Sequence, residues 1–374
     1  MKIYFFIIIF SKVIFPIISK YTMRAFSAFD TLSGNIMILE DHGICLYNPY
    51  SKNLSYYPQS KSYELVINGE ANRKTLDFVN YPSLSGNCTL AFFEKFIYVF
   101  KEDKYKCRIE SKYLYITKML IPYKAQENYF PFILATIRLK DMHLLFYNLT
   151  FENSINLQYN KTINYQNETG ESAYFLQDII SCQFMQYKNL SYYPLICFIG
   201  LDDPPSLSVH IIDVENNFNI IDRLLYNEID KTITSIKSKV NENNKTCLIC
   251  YISQYSQYSM TYCLIYNSEQ NNFEQHIELS DECMYYNFFM DFFYLEYRQE
   301  YLFYCFAGRY VLHTFLFDIN FNLKRNNNNN YTNITFSMPY GSIDIYTSSF
   351  VYLKNENKFF FYMIIEKKMK LYII

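Results

Sequence analysis

Short apolar runs alternate with polar turns along the whole chain, and one arrangement of them recurs. The stretch YPLICFIGLDDPPSLSVHIIDVENNFN (193–219) shows it most plainly. An apolar run is followed by a turn, then by a second apolar run closed by Asp213, then by an Asn-rich turn holding Phe218. The runs are short and rich in Ile, Phe, Tyr, Val and Thr, and turn residues bound them, which predicts β-strands. In 194–200, Leu195, Cys197 and Ile199 share one face and Ile196 and Phe198 the other, so this strand is expected to be covered on both sides. In the next run Val209, Ile211 and Asp213 alternate with Ser208, His210 and Ile212, which predicts a half-buried neighbour. The closing Asp or Asn suits a strand end, because its side chain bonds the backbone of the following turn.

Aligned on the apolar residue before that Asx, the pattern repeats at Tyr47-Asn48, Phe100-Lys101, Tyr147-Asn148, Ile212-Asp213, Tyr266-Asn267 and Phe317-Asp318, with a last copy near Leu371. The intervals are 53, 47, 65, 54, 51 and 54 residues. The preceding runs align as well, placing Cys197, Cys250, Cys305 and Tyr362 in register. A weaker run precedes each pair, as in ISCQFMQ and ITSIKSK, and a fourth follows each anchor, as in FNIIDRLL and FEQHIELS. No long stretch of helical periodicity competes.

Units of about 50 residues with four strands each predict an all-β fold with very little helix, a β-propeller of seven blades of four antiparallel strands. Six or eight blades, or stacked sandwiches, are the competing architectures. The repeat length resembles that of kelch and WD40-type propellers. The kelch Gly-Gly pair and a recurring Trp-Asp are missing, so the likeness is architectural and transfers no site.

The expected organisation is a leader at 1–19, or to residue 27, and one propeller domain over 20–374. A rim insertion is expected at 150–174 and a low-complexity loop at 324–333. The last blade runs out after its third strand. Its outer strand is therefore expected from the N-terminal side, at about Lys20–Phe26, unless the chain is a shortened form of a longer protein.

The leader rests on Lys2, the apolar run Ile3–Phe10, and small residues before Ser19 or Ser27. Lys12 and Pro16 break the stretch, which is too short for a membrane span. The alternatives are an uncleaved anchor and a first buried strand of a cytoplasmic protein. Nine Asn-X-Ser/Thr sequons support export: Asn53, Asn87, Asn148, Asn160, Asn167, Asn189, Asn244, Asn330 and Asn333. About four would arise by chance in this composition.

Ten cysteines add to that picture. Their strand positions suggest intrablade disulfides Cys182–Cys197, Cys283–Cys305, Cys250–Cys263 and Cys88–Cys107, although sequence alone does not settle connectivity. Buried thiols packing as small apolar groups are the alternative.

Composition removes several function classes. Lys and Arg total 34 against 36 Asp and Glu, so no basic surplus points to nucleic acid. Forty Tyr, 34 Phe and no Trp follow a bias toward A/T-rich codons, and the aromatics read as strand filling rather than as stacking platforms. Eight Gly leave little material for phosphate loops.

The remaining candidates have plain structural readings. Cys247-Leu-Ile-Cys250 lies in a strand, where its two thiols face opposite ways and cannot share a metal. His143, His210 and His313 share strand parity in three blades, but on third strands, which diverge from the axis. Asp202-Asp203 and Asp281-Glu282 are acidic pairs in turns of a kind that can bind Ca²⁺, but solvated turn acids are the default.

No catalytic constellation, cofactor site or metal site is expected. The sequence points to a secreted or surface-exposed module that binds a protein or glycan partner through its loops, with no stable membrane span once the leader is removed. An extracellular hydrolase with acids at the channel mouth, and an intracellular scaffold, are the alternatives.

Overall fold

In the computed structural model, the described residues are 25–31, 33–40, 43–58, 75–81, 88–93, 96–110, 117–122, 129–138, 141–150, 155–164, 179–202, 204–255, 258–280, 290–296, 298–307, 311–324, 332–335, 345–353, 358–365 and 368–373. Among them there is strand and turn but no helix. The strands form seven antiparallel sheets, taken here as blades in chain order.

Blade one holds β1 (Ala25–Asp30), β2 (Ile36–Glu40), β3 (Gly43–Asn48) and β4 (Asn53–Pro58). Blade two holds β5 (Thr75–Tyr81), β6 (Cys88–Phe93), β7 (Phe96–Lys101) and β8 (Lys104–Glu110). Blade three holds β9 (Thr117–Pro122), β10 (Tyr129–Arg138), β11 (Asp141–Thr150) and β12 (Ile155–Asn164). Blade four holds β13 (Ile180–Phe184), β14 (Leu195–Asp202), β15 (Pro205–Asp213) and β16 (Asn219–Tyr226). Blade five holds β17 (Thr232–Val240), β18 (Thr246–Tyr255), β19 (Tyr258–Asn267) and β20 (Asn272–Ser280). Blade six holds β21 (Met290–Leu295), β22 (Glu300–Ala307), β23 (Val311–Phe317) and β24 (Thr332–Thr335). Blade seven holds β25 (Ile345–Leu353), β26 (Lys358–Ile365) and β27 (Lys368–Ile373). In every blade the strands pair in chain order.

The chain divides into two compact units, one of blades one and seven and one of blades two to six. In the larger unit β5 lies beside β9, β9 beside β13, β13 beside β17 and β17 beside β21. The first strand of each sheet thus meets the first strand of the next, which is how the blades of a β-propeller pack. In the smaller unit β1 lies beside β25 and β26.

Alternation along β14 explains how the seams fill. Leu195, Cys197 and Ile199 pack with Ile121, Ile133 and Leu144 of blade three. Ile196 and Phe198 pack with Ile233, Ile249 and Tyr266 of blade five. The next seam joins Leu248, Cys250 and Ile252 to Phe303, Cys305 and Phe315 of blade six. The largest fully buried side chains are all Phe or Tyr, so the aromatics serve as seam filling. Gly200 lets β14 approach β17, since a Cβ there would stand 3.0 Å from the Ile233 side chain.

The anchors work as local chemistry dictates. Asn48 Oδ1 accepts from the amides of Tyr50 (3.0 Å) and Ser51 (2.9 Å). Asp213 Oδ1 accepts from Asn216 (3.0 Å), and Asn267 Oδ1 accepts from Glu269 (2.9 Å). Asp318 Oδ1 accepts from Asn320 (2.8 Å) and Asn322 (2.9 Å). With so few glycines, left-handed turn positions fall to other residues, among them Asn217, Phe218, Asn244, Asn271 and Phe321. Phe218 and Phe321 then turn inward and are buried.

A second device recurs at the anchors. The outer strand bulges opposite Phe100, Tyr147, Ile212 and Tyr266, leaving Lys106, Gln158, Ile221 and Glu274 as the extra residues. Bulges of this kind twist an edge strand and blunt it against further pairing.

Several expectations need correction. Ser206–Ile212 of β15 are all buried, including Ser208 and His210, so this strand is not half-exposed. Blade three covers its far side. Ile155–Asn164, placed in the expected rim insertion, is the outer strand of blade three, and its polar sequence is that of an outermost strand. The low-complexity loop ends at β24, which takes Thr332 and Asn333, and 325–331 lie outside the described residues. Ala25 and Phe26 belong to β1, which pairs with β2, so they are not an outer strand of blade seven. Residues 1–24 lie outside the described residues.

Candidate functional site

In blades four and five the first-to-second and third-to-fourth connections emerge at one end of the sheet. At that end the loop 185–194 reaches across the seam. Gln186 N donates to Asn244 O at 2.8 Å and Lys188 N to Ser268 O at 3.3 Å. Deeper in the seam Ser181 Oγ and Ser238 Oγ share a hydrogen bond of 2.7 Å, and Ser238 N donates to Ser181 Oγ at 3.0 Å.

Asp222 of β16 is the hub of the polar cluster above. Its Oδ2 accepts from the Tyr187 hydroxyl, from Lys188 Nζ at 2.9 Å and from Asn271 Nδ2 at 3.3 Å. Its Oδ1 accepts from the Arg223 amide at 2.8 Å. The hydrogen bonds from Tyr187 and Lys188 pull the carboxyl down to about 2. Asn271 passes the network on, because its Oδ1 accepts from the Tyr266 hydroxyl at 2.8 Å. Both carboxylate oxygens are engaged, so the cluster fastens two blades together. Tyr192 is tied in the same way: its hydroxyl donates to Asp213 Oδ2 at 2.7 Å, and that bond pushes it up to about 12.

The outer side of blade four is different. On β16, Asp222, Leu224 and Tyr226 are half-buried toward blade five. Alternation puts Leu225 on the opposite side, 41% exposed, and the bulge residue Ile221 is 40% exposed. Tyr193, in the loop before β14, is 51% exposed. The corresponding bulge residues of blades two, three and five are Lys, Gln and Glu. At that place blade four presents the exposed Ile221 where blade five presents the exposed Glu274.

The other candidates are placed as follows. Cys182 and Cys197 face each other across β13 and β14 with Cα atoms 4.1 Å apart and form a disulfide. Cys250 and Cys263 do the same across β18 and β19, also at 4.1 Å. Cys305 is disulfide-bonded too, while Cys283 lies outside the described residues. Cys88 and Cys107 do not bridge. They stand on β6 and β8 with β7 between, and Cys88 is a buried thiol. That places them two strands apart, beyond the reach of a disulfide.

Cys247 and Cys250 face different seams, and burial pushes the Cys247 thiol far up. His143 Nδ1 bonds Thr162 Oγ1 at 3.1 Å, His210 Nε2 bonds Ser208 Oγ at 2.8 Å, and the His313 ring stacks on Phe315. Each histidine is thus engaged within its own blade. Burial lowers His210 to about 4. Asp202 pairs with Pro205 in a hairpin, and Asp203, Asp281 and Glu282 lie outside the described residues.

Of the sequon asparagines, Asn53 and Asn189 are exposed and Asn244 is half-buried in a turn. Asn148, Asn160 and Asn333 lie within β11, β12 and β24, and Asn87, Asn167 and Asn330 fall outside the described residues.

Sequence reasoning missed the Tyr187–Lys188–Asp222–Asn271 cluster, because its members come from two blades. The exposed aliphatics of β16 had a readable signal: FNIIDRLL carries apolar residues at both parities, more than a one-sided outer strand needs.

No protein-family model matches this chain, and no curated protein does. Solved structures do. The WD40 domain of Toxoplasma gondii coronin is similar with a TM-score of 0.53 at 8% identity, covering 95% of this chain and 82% of that one. The β-propeller domain of Vanderwaltozyma polyspora Nup133 gives 0.52 at 10% identity, covering 93% of each. The β-propeller domain of Myceliophteria thermophila Cps50 (Swd1) gives 0.51 at 9% identity, covering 94% and 97%. At such identities the likeness is one of fold.

Proposed function

We propose that this β-propeller is a secreted or surface-exposed, non-enzymatic module that binds a protein partner across the outer side of β16. The observation that carries the reading is the pair of exposed aliphatics on β16, Leu225 on the side turned away from blade five and Ile221 at the bulge. Apolar groups held out on a rigid strand favour a partner that covers them, at about 25 cal/mol for each Å² removed from water. Export is supported by the disulfides Cys182–Cys197 and Cys250–Cys263, since such bridges persist in oxidising compartments. The leader-like residues 1–19 support it as well. Cleavage after Ser19 leaves β1 whole, whereas cleavage after Ser27 removes its first three residues, so the earlier site fits the fold.

The test is to express the full chain in its source cells, separate medium, surface and cytoplasm, and crosslink. The reading expects the chain outside the cytoplasm, joined to a partner protein that Ile221→Asp/Leu225→Asp loses while its disulfides remain. A chain confined to the cytoplasm supports the intracellular scaffold instead. Crosslinks indifferent to the double variant put the partner elsewhere.

A further inference from the structure

Asparagine does two jobs in the turns of this protein, and sequon membership separates them at two well-placed turns. In the turn between β17 and β18, Asn241 Oδ1 accepts from the Thr246 amide at 3.2 Å, and Asn243 Oδ1 accepts from the Lys245 amide at 2.8 Å. Neither lies in a sequon. Asn244, which does, holds the left-handed position at φ 57°, and its side chain makes no hydrogen bond among the described residues. Its backbone does the local work, donating to Asn241 O at 3.0 Å and accepting from Gln186 at 2.8 Å. The hairpin of β3 and β4 repeats the division. Asn48 Oδ1 holds the turn and its Nδ2 donates to Asn35 Oδ1 at 3.0 Å, while the sequon residue Asn53 is exposed with its amide unengaged among the described residues.

Asn189 lies in the loop 185–194. It is exposed, the Ser191 that completes its sequon is exposed, and the turn is closed by Leu190 N donating to Tyr187 O at 3.1 Å rather than by the Asn189 amide. The two sites are neighbours in space, because Gln186 of this loop is bonded to Asn244 itself.

We propose that Asn189 and Asn244 are a paired N-glycosylation site, with both glycans standing over the seam between blades four and five. This rests on the export reading above. In each transfer, Nδ2 bonds the anomeric carbon of an oligosaccharide carried on a lipid pyrophosphate. The bond from that carbon to the pyrophosphate oxygen breaks, the lipid pyrophosphate leaves, and Nδ2 gives up one proton to the host transferase. No turn-holding hydrogen bond is lost at either residue. The glycans then cover the Lys188–Asp222 cluster on the seam side of blade four and leave the opposite side of β16 open to its partner. The Lys188 ammonium, 2.9 Å from Asp222 and 4.8 Å from the Tyr187 ring centre, thereby belongs to the glycan-covered side.

The test expresses the full chain in a glycosylating secretory host, once with its own N-terminus and once behind a strong heterologous leader. Amidase release in heavy-oxygen water, followed by peptide mass mapping, tags each asparagine that carried a glycan. Tags at both Asn189 and Asn244 are expected, with Ser191→Ala removing the first and Thr246→Ala the second while both mapped disulfides persist. Tags that appear only behind the heterologous leader uphold the paired site and overturn export by the native N-terminus. An exported chain untagged at Asn189 and Asn244, whichever leader it used, overturns the paired site.

Discussion

Cys197 and Cys250 hold the same register position in successive second strands, yet they bridge in opposite directions. Cys197 is joined to Cys182 on the first strand of its blade, and Cys250 to Cys263 on the third strand of the next. Each bridge closes a short chain segment, of 15 and 13 residues. By loop entropy each is worth about 3 kcal/mol. The double variant Cys182→Ala/Cys197→Ala is expected to unfold at lower denaturant by about that amount, and a reductant should then cost it less than it costs the wild type. Equilibrium denaturation of oxidised and reduced protein measures both effects.

The packing of blade four on blade five depends on a missing side chain. A Cβ at Gly200 would lie 3.0 Å from both Cβ and Cγ2 of Ile233. Ile233 is itself buried, so little room exists for it to yield. Gly200→Ala is expected to destabilise by about 1–3 kcal/mol, and to cost less in an Ile233→Ala background, where Cγ2 is gone, although that truncation is itself destabilising. Thermal or chemical unfolding of the two single variants and the double variant checks the coupling.

Acid should loosen the seam of blades three and four through His210. Burial lowers its pKa from 6.5 to about 4, so between those values the unfolded chain binds a proton that the folded chain does not. Stability from this residue is fully present above about pH 6.5 and is lost progressively as pH falls toward 4, up to about 3 kcal/mol. A His210→Gln variant is expected to flatten that part of the stability–pH curve, whatever its effect at neutral pH.

Asp222 acts in a lower window. Its carboxyl is held down to about 2 by Tyr187 and Lys188. Its contribution is complete above about pH 4 and disappears as pH falls from there toward 2. Asp222→Asn should remove this acid-side slope and leave the His210 window unchanged, as pH-dependent unfolding would show. Because the carboxylate is partly exposed, the effect is small and shrinks with added salt.

The legible part of the fold was its periodic part. Alternation along β14, the Asx at strand ends and the roughly 50-residue interval each arise within one blade, and each can be followed in a single chain segment. What escaped came from neighbours. The strand β15 reads as half-exposed because Ser208 and His210 are polar, yet blade three covers them, and the Ser208–His210 bond satisfies part of their need. The strand β12 reads as an excursion because INLQYNKTIN is polar, as an outermost strand is free to be. Cys88 and Cys107 share a blade, but pairing order puts β7 between them. The Asp222 cluster needs Tyr187, Lys188 and Asn271 from separate turns, and only the seam brings them together.

The central claim is that a partner protein seats on the outer side of β16. The direct measurement is the affinity of the crosslinked partner, once purified, for the wild-type chain and for Ile221→Asp/Leu225→Asp, both with mapped disulfides and matched unfolding midpoints. Burying a carboxylate in place of each aliphatic side chain is expected to weaken binding by about 100-fold or more, while Lys245→Ala on the seam side leaves it unchanged. Equal affinity of the wild type and the double variant would contradict the account.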